Sequence, residues 1–170
     1  RAAQLAGQFV FDDQVHFVRD DYSWEGILDL GKFSSNHWNP AMLNEYGIEL
    51  GRYKFENFLK EIYLDSDTKV ALLSGAPFDD PDKWLLTNDQ MARTRELINR
   101  IAGSRRLLCH AVIAPGTPGW IEEVDHAIED LKPDSWKGYT VGDPLAPSQF
   151  PWRLDDEKLV YPFYEKTLKA

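Results

Sequence analysis

The chain has a single cysteine among its 170 residues, so no intrachain disulfide can form. Cys109 sits in an apolar run and is expected to be buried and inert, which fits a reducing, cytoplasmic compartment. Positive charge is also short: Lys and Arg total 19 against 28 Asp and Glu, a net charge of −9. Such a chain repels phosphate backbones, and its one basic doublet, Arg105-Arg106, leads into a strand. Nucleic acid is therefore not an expected partner. No apolar run approaches the roughly 18 residues that cross a bilayer, so no membrane association is expected. A Gly-x-Gly-x-x-Gly turn, a phosphate-binding loop and a Gly-x-Ser-x-Gly elbow are all missing, which sets aside nucleotide-binding and serine-hydrolase designs. The first residue is Arg1, which leaves room for a trimmed targeting segment ahead of it.

What is present is most telling at residues 8–18, Gln-Phe-Val-Phe-Asp-Asp-Gln-Val-His-Phe-Val. Side chains alternate between the faces of a strand. One face then carries Phe9, Phe11, Asp13, Val15 and Phe17, and the other Val10, Asp12, Gln14, His16 and Val18. A greasy strand that places Asp, Gln and His in line near its carboxyl end reads as part of a site, because α/β proteins build sites there.

Residues 19–52 read as a long irregular stretch with Asn36-His37-Trp38-Asn39-Pro40 and glycines at 26, 31, 47 and 51. The spacing of Phe55, Phe58, Leu59 and Ile62 predicts a helix over 53–64. Residues 69–75 and 106–114 read as buried strands. Between them Thr87 or Asn88 caps a helix that runs to Ala102 and stops at Gly103. Asp79, Asp80 and Asp82 lack the spacing of a calcium loop and read as a solvated loop. Thr117 is expected to cap a third helix with Pro118 in its first turn and Trp120, Val124, Ile128 and Leu131 on one face. A fourth strand follows at 136–141, then a loop with prolines 144, 147 and 151. A last helix, capped by Asp155, is expected to run from 156 to 170. Strands alternating with helices imply parallel pairing with right-handed crossovers. Four such units make an α/β chain, the first half, (βα)4, of a (β/α)8 TIM barrel. A small doubly wound sheet is the alternative. The last helix has no stop signal before Ala170, which favours the barrel and makes residues 1–170 a single incomplete domain.

Four stretches carry a family likeness: residues 11–16, Phe-Asp-Asp-Gln-Val-His; Asp65-Ser66-Asp67-Thr68 leading into 70–74, Val-Ala-Leu-Leu-Ser; Trp136-Lys137-Gly138-Tyr139; and Trp152-Arg153-Leu154-Asp155-Asp156. In these the chain resembles the amidohydrolase superfamily, in the branch related to aminocarboxymuconate-semialdehyde decarboxylase. The resemblance implies a metal-dependent TIM barrel that hydrolyses amide or ester-like bonds, or decarboxylates aromatic and unsaturated acids. It implies a His-x-His pair on the first strand, further histidines on strands five and six, and an Asp base on strand eight. Here Gln14 and His16 stand at the first pair, and the later groups would lie beyond Ala170.

His16 and Gln14 are thus the candidate metal residues, with Asp12 as a second-shell partner that orients His16. Zinc is the expected ion, with manganese or iron as alternatives. Gln14 offers a neutral oxygen in place of an imidazole, so the ion is also expected to be weakly held or absent. Lys137 is the remaining candidate, either holding a substrate carboxylate or, the favoured reading, paired with a barrel Asp such as Asp12. His110 is expected to be a satisfied core histidine, and His126 solvated. His37 and Trp38 are expected either to shape a substrate pocket or to sit on a surface loop. The resulting expectation is a metal-dependent hydrolase or decarboxylase of a small organic substrate bearing a carboxylate, amide or ester. Its general base and second half-barrel come from outside this chain, so the isolated chain should be inactive and an oligomer is expected. The alternative is a non-catalytic half-barrel subunit that serves as an interaction partner.

Overall fold

The computed structural model describes residues 7–38, 49–143 and 146–170. Asn39, Pro40, Gly47 and Pro144 of the sequence reading lie outside them. Four strands, β1 (Val10–Val15), β2 (Thr68–Leu73), β3 (Leu107–Val112) and β4 (Ser135–Lys137), form one sheet in the order β1-β2-β3-β4. Every neighbouring pair is parallel. The sheet is curled like one half of a βα barrel. Sequential parallel strands need a crossover between each pair, and the intervening helical segments supply them.

β2 and β3 form where the sequence concentrates Val, Leu and Ala, residues that suit a sheet covered on both faces. The first crossover is α1 (Ile27–Trp38), a 3₁₀ turn (Leu50–Tyr53) and α2 (Phe55–Leu59), which continues as a π turn (Lys60–Leu64). The second is α3 (Asn88–Ala102), the third is α4 (Trp120–His126) with its π extension (Ala127–Leu131), and α5 (Tyr161–Thr167) follows β4. Thr87 and Gln90 close a capping box at the start of α3, and Gly103 ends it at φ 62°, a left-handed turn that suits glycine.

Three buried clusters hold these layers. The largest joins Val15 and Phe17 to Ala71, Leu73, Leu107 and Cys109 of the sheet and to Phe58, Met91 and Ile98 of the helices. A second, under the loops that follow β1 and β2, joins Val18, Tyr22, Ile27, Ala76, Phe78 and Leu85. A third seats Trp152, Val160 and Phe163 on Ile113 and Val124. Cys109 is buried, and burial pushes its thiol up to about 11, so it stays protonated and unreactive. Among the described residues no helix is long and apolar enough to cross a membrane.

Several expectations need correction. The stretch after β1 is not irregular throughout, since residues 27–38 are α1. It is also tied down: Lys54 Nζ donates to the carbonyls of Arg19, Asp20 and Tyr22 at 2.8, 2.8 and 2.9 Å, and Arg19 donates to those of Trp84 and Asp82. Thr117 does not cap α4. Its hydroxyl turns back to the Ala114 carbonyl, and Gly119, at φ 77°, takes the cap position instead. The last helix is shorter than expected because the Asp156 carboxylate holds a turn at Lys158 and Leu159 first, while Asp155 pairs with Arg153. Asp79 is not merely solvated, for it accepts from Ser148 Oγ and Gln149 N, both at 2.7 Å.

Candidate functional site

The site is built where β1 loses its regular alternation. Asp12 pairs with Ala71 and Val15 with Leu73, three steps on β1 against two on β2. The extra residue is a bulge, and a bulge redirects side chains. Paired residues of a parallel ladder share a face, so Asp12 and Val15 lie on the side of Ala71 and Leu73, under the helices. Asp12 lines a groove at the β1 edge with Gln14, His16, Phe58, Glu61 and Ile62, and its charge reaches Tyr63. The regular alternation of Asp12, Gln14 and His16 is interrupted there, although all three line the same groove. Asp12 spends its Oδ1 on the Gln14 amide N–H at 3.2 Å.

His16 lies just past the end of β1 at the sheet mouth. Its Nδ1 sits 2.7 Å from the backbone carbonyl of Ser74, the residue that follows β2. A carbonyl only accepts, so Nδ1 carries the proton and Nε2 carries the lone pair. Gln14 Nε2 faces that lone pair at 3.3 Å. The group that orients His16 is thus the Ser74 carbonyl and not Asp12, whose charge is the weakest of the influences on the ring. His16 remains accessible from the mouth, yet surrounding protein atoms and the nearby Lys137 charge disfavour the imidazolium. They lower its pKa against the opposing pull of the Ser74 bond.

His110 on β3 and Lys137 on β4 share this mouth. β4 ends at Lys137, which puts its ammonium at a strand's carboxyl end rather than near its start. Lys137 Nζ is closed off from solvent without a hydrogen-bond partner among the described residues. The ring of Tyr139 lies beneath it, 5.1 Å from Nζ to the centroid. The expected ion pair with Asp12 is not made. Burial lowers the Lys137 pKa. His110 is also not the satisfied core histidine that was expected: neither ring nitrogen has a partner. Burial, then the charges of Lys137 and His16, press its pKa down to about 4.

Beside these groups lies a cavity of about 380 Å³ lined by His16, Ile27, Leu30, Phe78, Leu85 and Tyr139 among others. α1 contributes its wall through Ile27, Leu30 and Ser35. His37 and Trp38, on the same helix, do not line it. His37 Nδ1 bonds the Phe33 carbonyl at 2.7 Å and its ring stacks on Phe33, while Trp38 is exposed. His126 is on the surface but bridges Asp130 and Asp89, which raises its pKa.

A metal needs several donors that converge. Among the described residues no group of three or more His, Cys, Asp or Glu does so. His16 Nε2 fits one ligand position, with its ring held as ligating imidazoles are held. Gln14 fits a second only after its amide turns to present oxygen. The residues present thus furnish one edge of a cradle and not a complete one. Comparison of the chain with family models, with curated proteins and with solved structures finds no match.

Proposed function

We propose that this chain is the first half of an amidohydrolase-like (β/α)8 barrel, one that hydrolyses or decarboxylates a small organic substrate bearing a carboxylate, amide or ester. The observation that carries the reading is the His16–Ser74 hydrogen bond, which leaves Nε2 unprotonated at the mouth of a curled parallel sheet. A divalent ion, zinc by donor type with manganese or iron as alternatives, would take His16 Nε2 and the Gln14 oxygen here. Such an ion supplies a water of lowered pKa and polarises a carbonyl. The chain's own residues do the rest of their work without it. Ser74 fixes the ring, the lowered pKa keeps His16 neutral at pH 7, and the apolar cavity beside it holds the body of the substrate away from water. The general base and remaining ligands belong to the other half-barrel, from the same or another chain, and an assembly of more than one chain follows in the latter case.

Gln14 favours a second reading, a non-catalytic half-barrel that serves as a structural partner, because its amide already fills the His16 lone pair. Metal analysis of the complete barrel, with both halves present, after mild purification separates the two. The enzyme reading expects near-stoichiometric ion that His16→Ala removes and Gln14→His retains more firmly. Absence of metal from the complete barrel, both native and Gln14→His, would overturn it and leave the partner reading standing.

A further inference from the structure

We propose that Lys137 and His110 form an anion subsite that takes the carboxylate of an organic acid whose apolar body fills the neighbouring cavity. Three polar atoms, His110 Nδ1, His110 Nε2 and Lys137 Nζ, are shut off from water and unpartnered among the described residues. Native interiors pair nearly all such atoms, and one left alone points to a missing partner. Three of them on adjacent strands at one sheet mouth point to a common one. An ammonium in this position is the costliest to leave unpaired, and among the described residues it has the face of Tyr139 but no hydrogen-bond partner.

The chemistry of the missing partner follows from the donors. Lys137 offers only N–H groups, and neutral His110 offers one N–H and one lone pair. A carboxylate accepts from both at once and supplies the negative charge that this corner lacks. Asp12, the acid the sequence suggested for Lys137, makes no ion pair with it. Asp134 reaches His110 electrostatically, but its two oxygens are spent on Arg105, Arg95 and the Cys109 N–H. Tyr139 joins the subsite to the cavity, since its ring both carries Lys137 and lines the apolar wall with Ile27, Leu30, Phe78 and Leu85. The cavity, at about 380 Å³, lies within the range of small-ligand pockets. An acid with its charged end at Lys137 therefore extends its body across Tyr139 into that space.

The subsite names the substrate end in the function proposed above, but it stands on the unpaired atoms alone, so it is tested in a metal-free, EDTA-containing buffer. The probes are 3-phenylpropionate, its neutral amide, acetate and inorganic phosphate, added to the full chain and followed by calorimetry and thermal shift. The expected result is saturable binding of 3-phenylpropionate at least tenfold tighter than its amide, acetate or phosphate. Lys137→Met, near-isosteric and uncharged, should weaken it tenfold or more while raising the Tm of the unliganded chain. His110→Gln should weaken it as well. Equal affinity for acid and amide, binding of acetate or phosphate as tight as that of 3-phenylpropionate, or full binding retained in Lys137→Met would each overturn the subsite. Any of these outcomes leaves the metal test at His16 untouched.

Discussion

The Nδ1–H of His16 reaches across the sheet to the carbonyl of Ser74, 58 residues away in sequence and 2.7 Å away in space. That bond decides which ring nitrogen is free. Nitrogen NMR at pH 7 is expected to show His16 as the Nδ1–H tautomer. Its titration should fall below the ordinary value of 6.5, since burial outweighs the Ser74 bond. A ring protonated at Nε2, or titrating above 6.5, would contradict the geometry.

Asn88 does for β3 what a neighbouring strand would do. Its Oδ1 accepts from the Val112 N–H at 2.7 Å, and its Nδ2 donates to the Val112 carbonyl at 3.1 Å and to Glu123 at 2.8 Å. The side chain is 2% exposed. Asn88→Ala leaves the buried Val112 peptide unpaired, and each buried group stranded in this way costs about 1–3 kcal/mol. Urea unfolding should show a loss of about 2 kcal/mol or more. A change under about 0.5 kcal/mol, as for a surface substitution, would mean that the amide does not serve this role.

Gly138 lets the chain leave β4 tightly. A Cβ there would lie 2.8 Å from Trp152 and 2.9 Å from Ile113, with the Ile113 carbonyl oxygen at 3.2 Å. Gly138→Ala must displace a buried indole or the backbone, and overpacking of this kind costs about 1–3 kcal/mol. Both the urea midpoint and the tryptophan emission should shift. Unchanged emission and stability would place Trp152 elsewhere.

Acid should destabilise the fold in two stages. The unfolded chain protonates His110 near 6.5, but the folded chain does so only near 4. Between those values the unfolded state binds more protons, so stability falls as pH drops from about 6.5 towards 4. Asp134 adds a second loss. Burial alone would raise its pKa, but the hydrogen bonds from the Cys109 N–H, Arg105 and Arg95 overcome it and hold the carboxylate below its ordinary 3.8. Its contribution is complete above 3.8 and disappears as pH falls through its folded value. Tm measured across pH 3 to 7 should decline over both windows, and His110→Gln should shrink the upper one, leaving the share that His16 contributes. A flat upper window in the native chain would sink the assignment of a buried, neutral His110.

What could be read from the sequence was local. The strands at 68–73 and 107–112 show as apolar runs cut off by Ser74-Gly75 and Pro115-Gly116, and α3 announces itself through Thr87 and Gly103. α1 was hidden because Gly31, Ser34, Ser35 and Asn36 are weak helix formers that also mark loops, and packing of Ile27 against the second cluster overrides them. The bulge in β1 was invisible because it is a property of the β1–β2 ladder and not of β1. That one feature interrupts the alternation of Asp12, Gln14 and His16 that the sequence suggests. His110 looked like core for the same reason: whether a buried imidazole is paired depends on what β4 and β1 bring to it.

The Asp79 carboxylate stitches the loop beyond β2 to the hydroxyl of Ser148 and the amide of Gln149, which follow β4. This brace passes over the intervening strand. Two rim segments 69 and 70 residues apart in sequence are thereby clasped together, so a disturbance at either one is felt by the other.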